Sequence, residues 1–238
     1  MTEIIEYRSL EKDILLNVLK EYPLMDSLNI SSIIENMIYE EVQEYYDDGS
    51  LMCKYTLRFG EKEGLYEQWF ENEEKDVECQ YQDGKLDGLY GEWWNNRQKK
   101  VECYYRYGKL EGLFQRWHRG EDNMIEDNLK VSGNAQKWVE CFFQDDKKEG
   151  MCQEWFENGQ KKLECHYRND KLDGIYQCWY ENGQKDIECY YRDDKIEGLY
   201  QAWFENGQKQ EECHYRDDKK EGLYQEWWEN GQKWVETQ

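Results

Sequence analysis

Several features that mark linkers, membrane proteins and enzymes are scarce in this sequence of 238 residues. Proline occurs once, at Pro23, which excludes a proline-rich linker or a collagen-like segment. No apolar run approaches the roughly 20 residues that a bilayer-spanning helix needs. Histidine occurs three times, and the sequence has no CxxC pair, P-loop, HExxH motif or nucleophile elbow. We therefore expect a protein that is not an enzyme and has neither a cofactor nor a metal site.

Positive charge is also scarce. The 31 lysines and arginines are outnumbered by 53 acidic residues, which gives a formal net charge of -22. Such a surface repels the phosphates of nucleic acids and of anionic membranes. The charged N-terminus does not resemble a secretory signal. The composition predicts a cytoplasmic protein whose partner is another protein, not nucleic acid, with membrane binding disfavoured.

The sequence does contain a regular pattern, in which a glycine is followed five residues later by a tryptophan. The seven glycines of this pattern are Gly64, Gly88, Gly112, Gly150, Gly174, Gly198 and Gly222. Successive glycines are 24 residues apart, except for the step from Gly112 to Gly150, which is 38 residues. A fixed period of this size is typical of a repeat protein.

Each 24-residue unit has the pattern of a β-hairpin. In the unit from Gly198, the β-rich run GLYQAWF is followed by ENGQ, and Asn-Gly between two such runs predicts a type I′ turn. In the second strand of the unit from Gly150, Leu163, Cys165 and Tyr167 alternate with polar residues, which indicates one buried and one solvated face. The first strand is apolar on both faces, so its periodicity leaves open which aromatic row is exposed.

Six of the nine cysteines recur at one position of the repeat: Cys79, Cys103, Cys141, Cys165, Cys189 and Cys213. Equivalent positions of successive hairpins lie two strands apart, about 9–10 Å. A disulfide needs Cα atoms within roughly 7 Å. We expect these cysteines to be buried free thiols, not disulfides or metal ligands.

Aligning the units by turn and cysteine extends the repeat to residues 40–238, which gives eight hairpins, about sixteen strands and a length of roughly 75–80 Å. The pattern GLYQxWFENGQKxxECxYRDDKxE resembles the MORN repeat variant, a form also found in YwqK-type antitoxin proteins and in repeat families of giant DNA viruses. The resemblance implies a mainly β fold, an elongated array of antiparallel hairpins in one twisted sheet. Glu73 and Arg97 replace the turn glycine in two units, so we expect those turns to differ in type.

The function that this resemblance implies is a protein-interaction scaffold, in the host cytoplasm if the source is a virus, with an antitoxin-like binder as an alternative. The candidate partner-binding residues are an aromatic row of the repeat and two apolar residues of an insertion at about 119–132: Tyr66, Tyr90, Phe114, Tyr176, Tyr200, Tyr224, Met124 and Ile125. The insertion is predicted to be a loop at a hairpin tip, either neutral and solvated or in contact with a partner.

Residues 1–39 lack the repeat and have a helical pattern. One interpretation is a cap that covers the edge of the first hairpin. Another is an F-box-like segment, because SLEKDILLNVLKEYPLMDSLNISSI resembles the F-box at Leu10, Ile14, Leu15, Val18, Leu19, Pro23 and Leu28. That resemblance implies a substrate adaptor that binds the Skp-type linker of an SCF-type ubiquitin ligase.

Overall fold

The computed structural model describes residues 39–120, 122–124, 130–132 and 135–237. Within these ranges the chain forms one antiparallel sheet of seventeen strands and a separate pair of short strands, with no helix. The predicted N-terminal helical segment lies outside the described residues except for Tyr39, which begins the first strand. The mainly β, single-sheet architecture is the one that the repeat predicts.

The strands follow one another through the sheet in chain order, and β7 pairs directly with β10 across the insertion. β15 and β16 are two parts of one strand that is interrupted at Glu197, so the described residues of the sheet form sixteen full strands, as eight hairpins require. The insertion itself contains a small antiparallel pair, β8 with β9. The strands are β1 Tyr39–Tyr45, β2 Leu51–Arg58, β3 Glu61–Trp69, β4 Lys75–Gln82, β5 Lys85–Trp93, β6 Lys99–Arg106, β7 Lys109–Trp117, β8 Asp122–Met124, β9 Lys130–Ser132, β10 Lys137–Gln144, β11 Lys147–Trp155, β12 Lys161–Arg168, β13 Lys171–Trp179, β14 Lys185–Arg192, β15 Lys195–Ile196, β16 Gly198–Trp203, β17 Lys209–Arg216, β18 Lys219–Trp227 and β19 Lys233–Thr237.

One face of the sheet, the cysteine face, is the buried face. The six repeated cysteines are each no more than 4% exposed. An aromatic residue lies directly opposite each thiol on the neighbouring strand, as Tyr176 lies between Cys165 and Cys189. The ring of Tyr176 contacts Tyr191 edge-on, with ring centroids 5.4 Å apart. Small thiols and large rings therefore alternate along the sheet, and the rings cover the thiols.

The Asn-Gly turns differ from the predicted type I′ turn. In the turn between β13 and β14, the N–H of Gly183 donates to the carbonyl of Tyr180, and the N–H of Tyr180 donates to the carbonyl of Gln184, both at 2.9 Å. Only Gly183 has a positive φ, 83°, whereas Asn182 does not. This is the pattern of a three-residue hairpin loop with one left-handed residue at its end. The type I′ prediction for these turns is therefore wrong.

The two units without the turn glycine form the same loop. Glu73 and Arg97 adopt φ values of 62° and 69°, and their N–H groups donate to Phe70 and Trp94 at 2.9 Å. The expectation that these turns differ in type is therefore wrong. The hydrogen bonds of the loop hold two non-glycine residues in the left-handed region, which is unfavourable for them.

Two-residue type I′ turns are present at the opposite ends of the strands. In each of them both residues have positive φ, as in Asp193 (50°) and Asp194 (66°). The second aspartate extends the ladder: Asp194 donates its N–H to the carbonyl of Leu172 at 2.9 Å, and its Oδ1 accepts the N–H of Leu172 at 2.7 Å. The seven turns are Phe59–Gly60, Asp83–Gly84, Tyr107–Gly108, Asp145–Asp146, Asn169–Asp170, Asp193–Asp194 and Asp217–Asp218.

Cysteine pairing differs from the expectation at one place. Cys141 and Cys152 form a disulfide between β10 and β11, with Cα atoms 4.1 Å apart. Cys152 occupies the position that an aromatic residue has in other repeats, so it lies directly opposite Cys141 on the adjacent strand. The distance argument applied only to equivalent positions two strands apart. The other five repeated cysteines are free, in agreement with the expectation, and Cys53 and Cys178 are free as well.

Candidate interaction surface

The predicted aromatic row lies on the cysteine face. Tyr66, Tyr90, Phe114, Tyr176, Tyr200 and Tyr224 are all half-buried, and burial raises the pKa of the Tyr176 phenol to about 12. Met124 lies in β8, and Ile125 lies outside the described residues, as do all seven F-box-like residues. The structure thus places the six predicted ring positions together, packed along the row of thiols.

The opposite face carries a continuous line of side chains, which we call the outer stripe; all are exposed except the half-buried His166. It consists of the residue after each repeat glycine and the residue after each repeat cysteine. Ten of its members are large hydrophobic residues with 37–57% of their surface exposed. In spatial order the stripe is Leu65, Gln80, Leu89, Tyr104, Leu113, Phe142, Met151, His166, Ile175, Tyr190, Leu199, His214 and Leu223.

Strand register creates the stripe. Leu89 lies directly opposite Tyr104, and Ile175 lies directly opposite Tyr190. The same register pairs Leu113 with Phe142, Met151 with His166 and Leu199 with His214. Because the stripe crosses thirteen neighbouring strands at about 4.8 Å per step, it is roughly 58 Å long.

The repeat glycines bend each first strand just before the stripe. All seven have a positive φ, between 74° and 138°, and the register of the adjoining pair shifts beside them, as it does between Cys165 and Tyr167 opposite Gly174. A Cβ atom on Gly174 would lie 2.8 Å from the Cβ of His166. Bulges of this kind re-aim the following side chain, which here is Ile175 in the stripe.

A polar row borders the stripe on the side of the three-residue hairpin loops. Glu188 accepts hydrogen bonds from Lys185 and from the side-chain amide of Gln177, the latter at 3.0 Å. The bond from Lys185 is the larger cause of a lowered pKa of Glu188, and the bond from Gln177 lowers it further. The Lys185 ammonium also lies 5.8 Å from the ring centroid of Trp203. Repeated tryptophans such as Trp203 thus contact the lysines of the ion pairs that lie beside the stripe.

A row of acidic residues borders the stripe on the side of the tight turns. Each precedes a repeat glycine, and several accept a main-chain N–H of a neighbouring turn. Glu149 accepts the N–H of Asn169 at 2.8 Å, and Glu197 accepts that of Asp217 at 3.1 Å. This role was not foreseen from the sequence, although the recurring acidic-Gly pair was its signal. A dipeptide pattern does not indicate a hydrogen bond between residues that are twenty positions apart in the sequence.

A depression lies in the stripe between Ile175 and Leu199, with Tyr190 between them on the intervening strand. Its rim includes Glu188, Glu197 and Arg192. An apolar group placed there would contact an aromatic ring and two aliphatic side chains, with charged groups at the border. Such a mixture of apolar contacts and a few polar groups is typical of binding sites.

The histidines are distributed through the repeat and do not cluster. His118 lies 3.2 Å from the carbonyl of Trp155 through Nε2 and stacks on Trp138, while His166 and His214 are members of the stripe. In the part of the chain that the structure describes, no group of three or more His, Cys, Asp or Glu side chains could hold a metal ion. None of the described residues forms a helix long and apolar enough to cross a membrane.

Comparison with known families finds a match in the C-terminal part of the chain. The family model of the MORN repeat variant matches residues 148–169, 172–193, 196–217 and 220–238. The four matched segments lie in tandem and are similar to MORN-variant repeats. Each complete match begins in the first strand of a hairpin and ends in a tight turn, so a MORN-variant repeat corresponds to one structural hairpin. No curated protein matches the chain.

The region before residue 148 has the same hairpin geometry as the matched MORN-variant repeats. Its turn at Phe70–Glu74 has the two hydrogen bonds of the turn at Tyr180–Gln184. Cys79 lies directly opposite Tyr66 and Tyr90 on its two neighbouring strands. Cys189 lies directly opposite Tyr176 in the same way. The outer stripe therefore continues from the matched repeats through this region without a change of register.

Proposed function

We propose that this chain is a non-enzymatic protein-interaction scaffold and that the outer stripe is its contact surface. The observation that carries the proposal is the concentration of exposed apolar side chains. Ten of the fifteen large exposed hydrophobic residues among the described residues lie in this one line. Large contiguous apolar surfaces on soluble proteins are typical of interaction sites.

Folding alone does not account for the stripe. The apolar contacts that hold the sheet together are on the cysteine face, where the thiols and rings are buried. Gln80, His166 and His214 occupy stripe positions in their own repeats, so a polar side chain is compatible with the fold there. Aliphatic residues at every first-strand position of the stripe are therefore best explained by a partner that covers them.

The repetition also favours binding over catalysis. A reaction needs one constellation of groups, whereas here the same carboxylates, lysines and amides recur in successive hairpins. The carboxylates beside the stripe are occupied by structural bonds, as Glu164 is by Lys161 and Gln153. Partner binding over an extended surface is the usual way in which stacked repeats function.

The proposal is tested by quantitative affinity capture from an extract of the source cells. The variant Leu89→Ser/Ile175→Ser/Leu199→Ser removes three stripe side chains, and Tyr45→Ser/Trp228→Ser removes two equally exposed residues outside the stripe. We expect proteins captured by the wild type and the control to be depleted about tenfold or more with the stripe variant. Circular dichroism and melting temperature must be unchanged. Identical capture by all three proteins would contradict the proposal.

A further inference from the structure

We propose that the occupant of the outer stripe is a basic polypeptide segment in the polyproline II conformation. This inference deepens the proposed function and rests on it. Three observations carry it: the charge of the chain, the spacing of the aliphatic side chains, and the depression over Tyr190.

The negative charge of the chain favours a positively charged partner. The net charge of -22 disfavours a second copy of this chain, a nucleic acid or an anionic bilayer as the occupant, because each would bring like charge to the surface. At the rim of the depression Glu188 is already paired with Lys185, and Arg192 lines the rim together with Glu197. Lysine or arginine side chains of a partner are therefore attracted by the field of the whole chain.

The spacing of the aliphatic side chains in the stripe favours one conformation of the bound segment. Successive aliphatic members of the stripe, such as Ile175 and Leu199, are two strands apart, or about 9.6 Å. Polyproline II places every third side chain on one line at about 9.3 Å. Two turns of an α-helix measure about 10.8 Å, and alternate side chains of a β-strand are about 6.7 Å apart. Over three repeats the mismatch is about 1 Å for polyproline II and about 3.6 Å for the helix.

The position of the stripe supports the same occupant. It runs across the face of the sheet, perpendicular to the strands, so a partner cannot use main-chain pairing with a strand edge. A polyproline II segment has no internal hydrogen bonds and keeps its backbone solvated. Grooves that bind such segments are lined by aromatic rings. Tyr190 between Ile175 and Leu199 supplies such a ring, and Tyr104 and Phe142 hold the same position in other hairpins.

The test uses fluorescein-labelled synthetic peptides and the full chain, with fluorescence anisotropy as the readout. The probe is a run of Leu-Pro-Arg triplets long enough to span four aliphatic sites, about 28 Å. One comparison peptide has the same composition but has its leucines two residues apart in one part of the sequence, and another has glutamate in place of arginine. We expect both to bind about tenfold more weakly than the probe, and probe affinity to fall as salt rises.

Protein variants locate the probe on the chain. Ile175→Ser/Leu199→Ser should weaken probe binding about tenfold, while the exposed control Tyr45→Ser should change it less than twofold. Equal affinity for the rearranged peptide, or equal effects of stripe and control variants, would overturn the proposal. If stripe variants lose captured cellular proteins but no peptide binds, this inference fails and the scaffold function stands. If neither capture nor peptide binding responds to the stripe variants, both fail.

Discussion

The side-chain amide of Asn182 donates a hydrogen bond of 2.8 Å to the main-chain carbonyl of Glu205, which lies in the turn of the next hairpin. Its Oδ1 accepts the N–H of Gln184, also at 2.8 Å, within its own turn. Asn158 and Asn206 make the same connections to Glu181 and Glu229. The asparagines of these three Asn-Gly pairs thus join neighbouring repeats, and this explains their recurrence where type I′ geometry does not.

The first prediction separates the two roles of Asn182. Asn182→Asp keeps an acceptor for Gln184 and removes the donor to Glu205, so we expect it to lower the free energy of unfolding by about 1 kcal/mol. Asn182→Ala removes both bonds and should lower the free energy of unfolding further. Chemical denaturation of both variants measures the difference.

Asn230 provides a matched control for this prediction. It accepts the N–H of Gln232 at 3.0 Å, and among the described residues no turn lies beyond it to accept its amide. Asn230→Asp should therefore leave stability nearly unchanged. A loss equal to that of Asn182→Asp would show that the connection between repeats does not stabilise the array.

The second prediction concerns Glu73, which has a φ of 62° where the matched repeats have glycine. A non-glycine residue in the left-handed region costs about 1–3 kcal/mol, whereas glycine loses about 0.5–1 kcal/mol through the entropy of the unfolded chain. We therefore expect Glu73→Gly to stabilise the protein by about 1 kcal/mol, seen as a higher melting temperature.

Glu71 lies in the same turn without a positive φ, so it serves as the control. Glu71→Gly adds the same chain entropy without relieving strain, and it should lower the melting temperature. If both glycine variants shift the melting temperature in the same direction, strain at Glu73 is not the cause.

Sequence periodicity was sufficient to predict the hairpins and the buried face. Leu163, Cys165 and Tyr167 alternate strictly with polar residues, and a strict alternation admits one assignment of faces. The first strands were ambiguous because the bulge at each repeat glycine interrupts the alternation. Only the register shows that Ile175 faces solvent beside Tyr190 while Tyr176 faces the thiols.

The turns and the cysteine pair could not be predicted for a related reason. Asn-Gly is compatible with more than one turn, and the bond from Asn182 to Glu205 in the next hairpin is not visible in the local sequence. Cys152 is outside the repeated cysteine position, so its approach to Cys141 follows from the pairing of β10 with β11. Both are contacts between residues distant in sequence, which a local pattern does not record.

The third prediction concerns thiol reactivity. Burial raises the pKa of the Cys165 thiol to about 11 and that of Cys189 to about 12. A thiol reagent attacks the thiolate, so at about pH 8 the folded protein should react slowly with Ellman's reagent. Denatured protein should show seven thiols, and nine after reduction, because Cys141 and Cys152 are paired.

Cys152→Tyr is the informative variant for this prediction, because it restores the aromatic residue that other repeats have at this position. It leaves Cys141 as a thiol, so the denatured variant should show eight thiols with or without prior reduction. Nine thiols in unreduced, denatured wild type would contradict the Cys141–Cys152 bond. Rapid labelling of all thiols in the folded protein would contradict the burial of the cysteine face.

The fourth prediction is a loss of stability in acid. Hydrogen bonds from a lysine and then a glutamine lower the pKa of Glu164, Glu188 and Glu212 below the ordinary value of 4.5. A carboxylate whose pKa is lower in the folded state stabilises the fold above its ordinary pKa, and this contribution is lost as the pH falls through the lowered value. The denaturation midpoint should therefore be constant near neutral pH and decrease below about pH 4.5.

Lysine variants show whether these pairs cause the acid sensitivity. Lys161→Gln/Lys185→Gln/Lys209→Gln removes the lysine that donates to each of the three carboxylates. The denaturation midpoint of this variant should therefore change less between about pH 7 and about pH 3.5 than that of the wild type. Lys54→Gln/Lys85→Gln/Lys147→Gln removes the same charge at lysines with no ion pair among the described residues, and it should keep the wild-type pH dependence. Equal pH dependence in the two triple variants would assign the acid transition to the net charge of the chain and not to the Lys–Glu–Gln row.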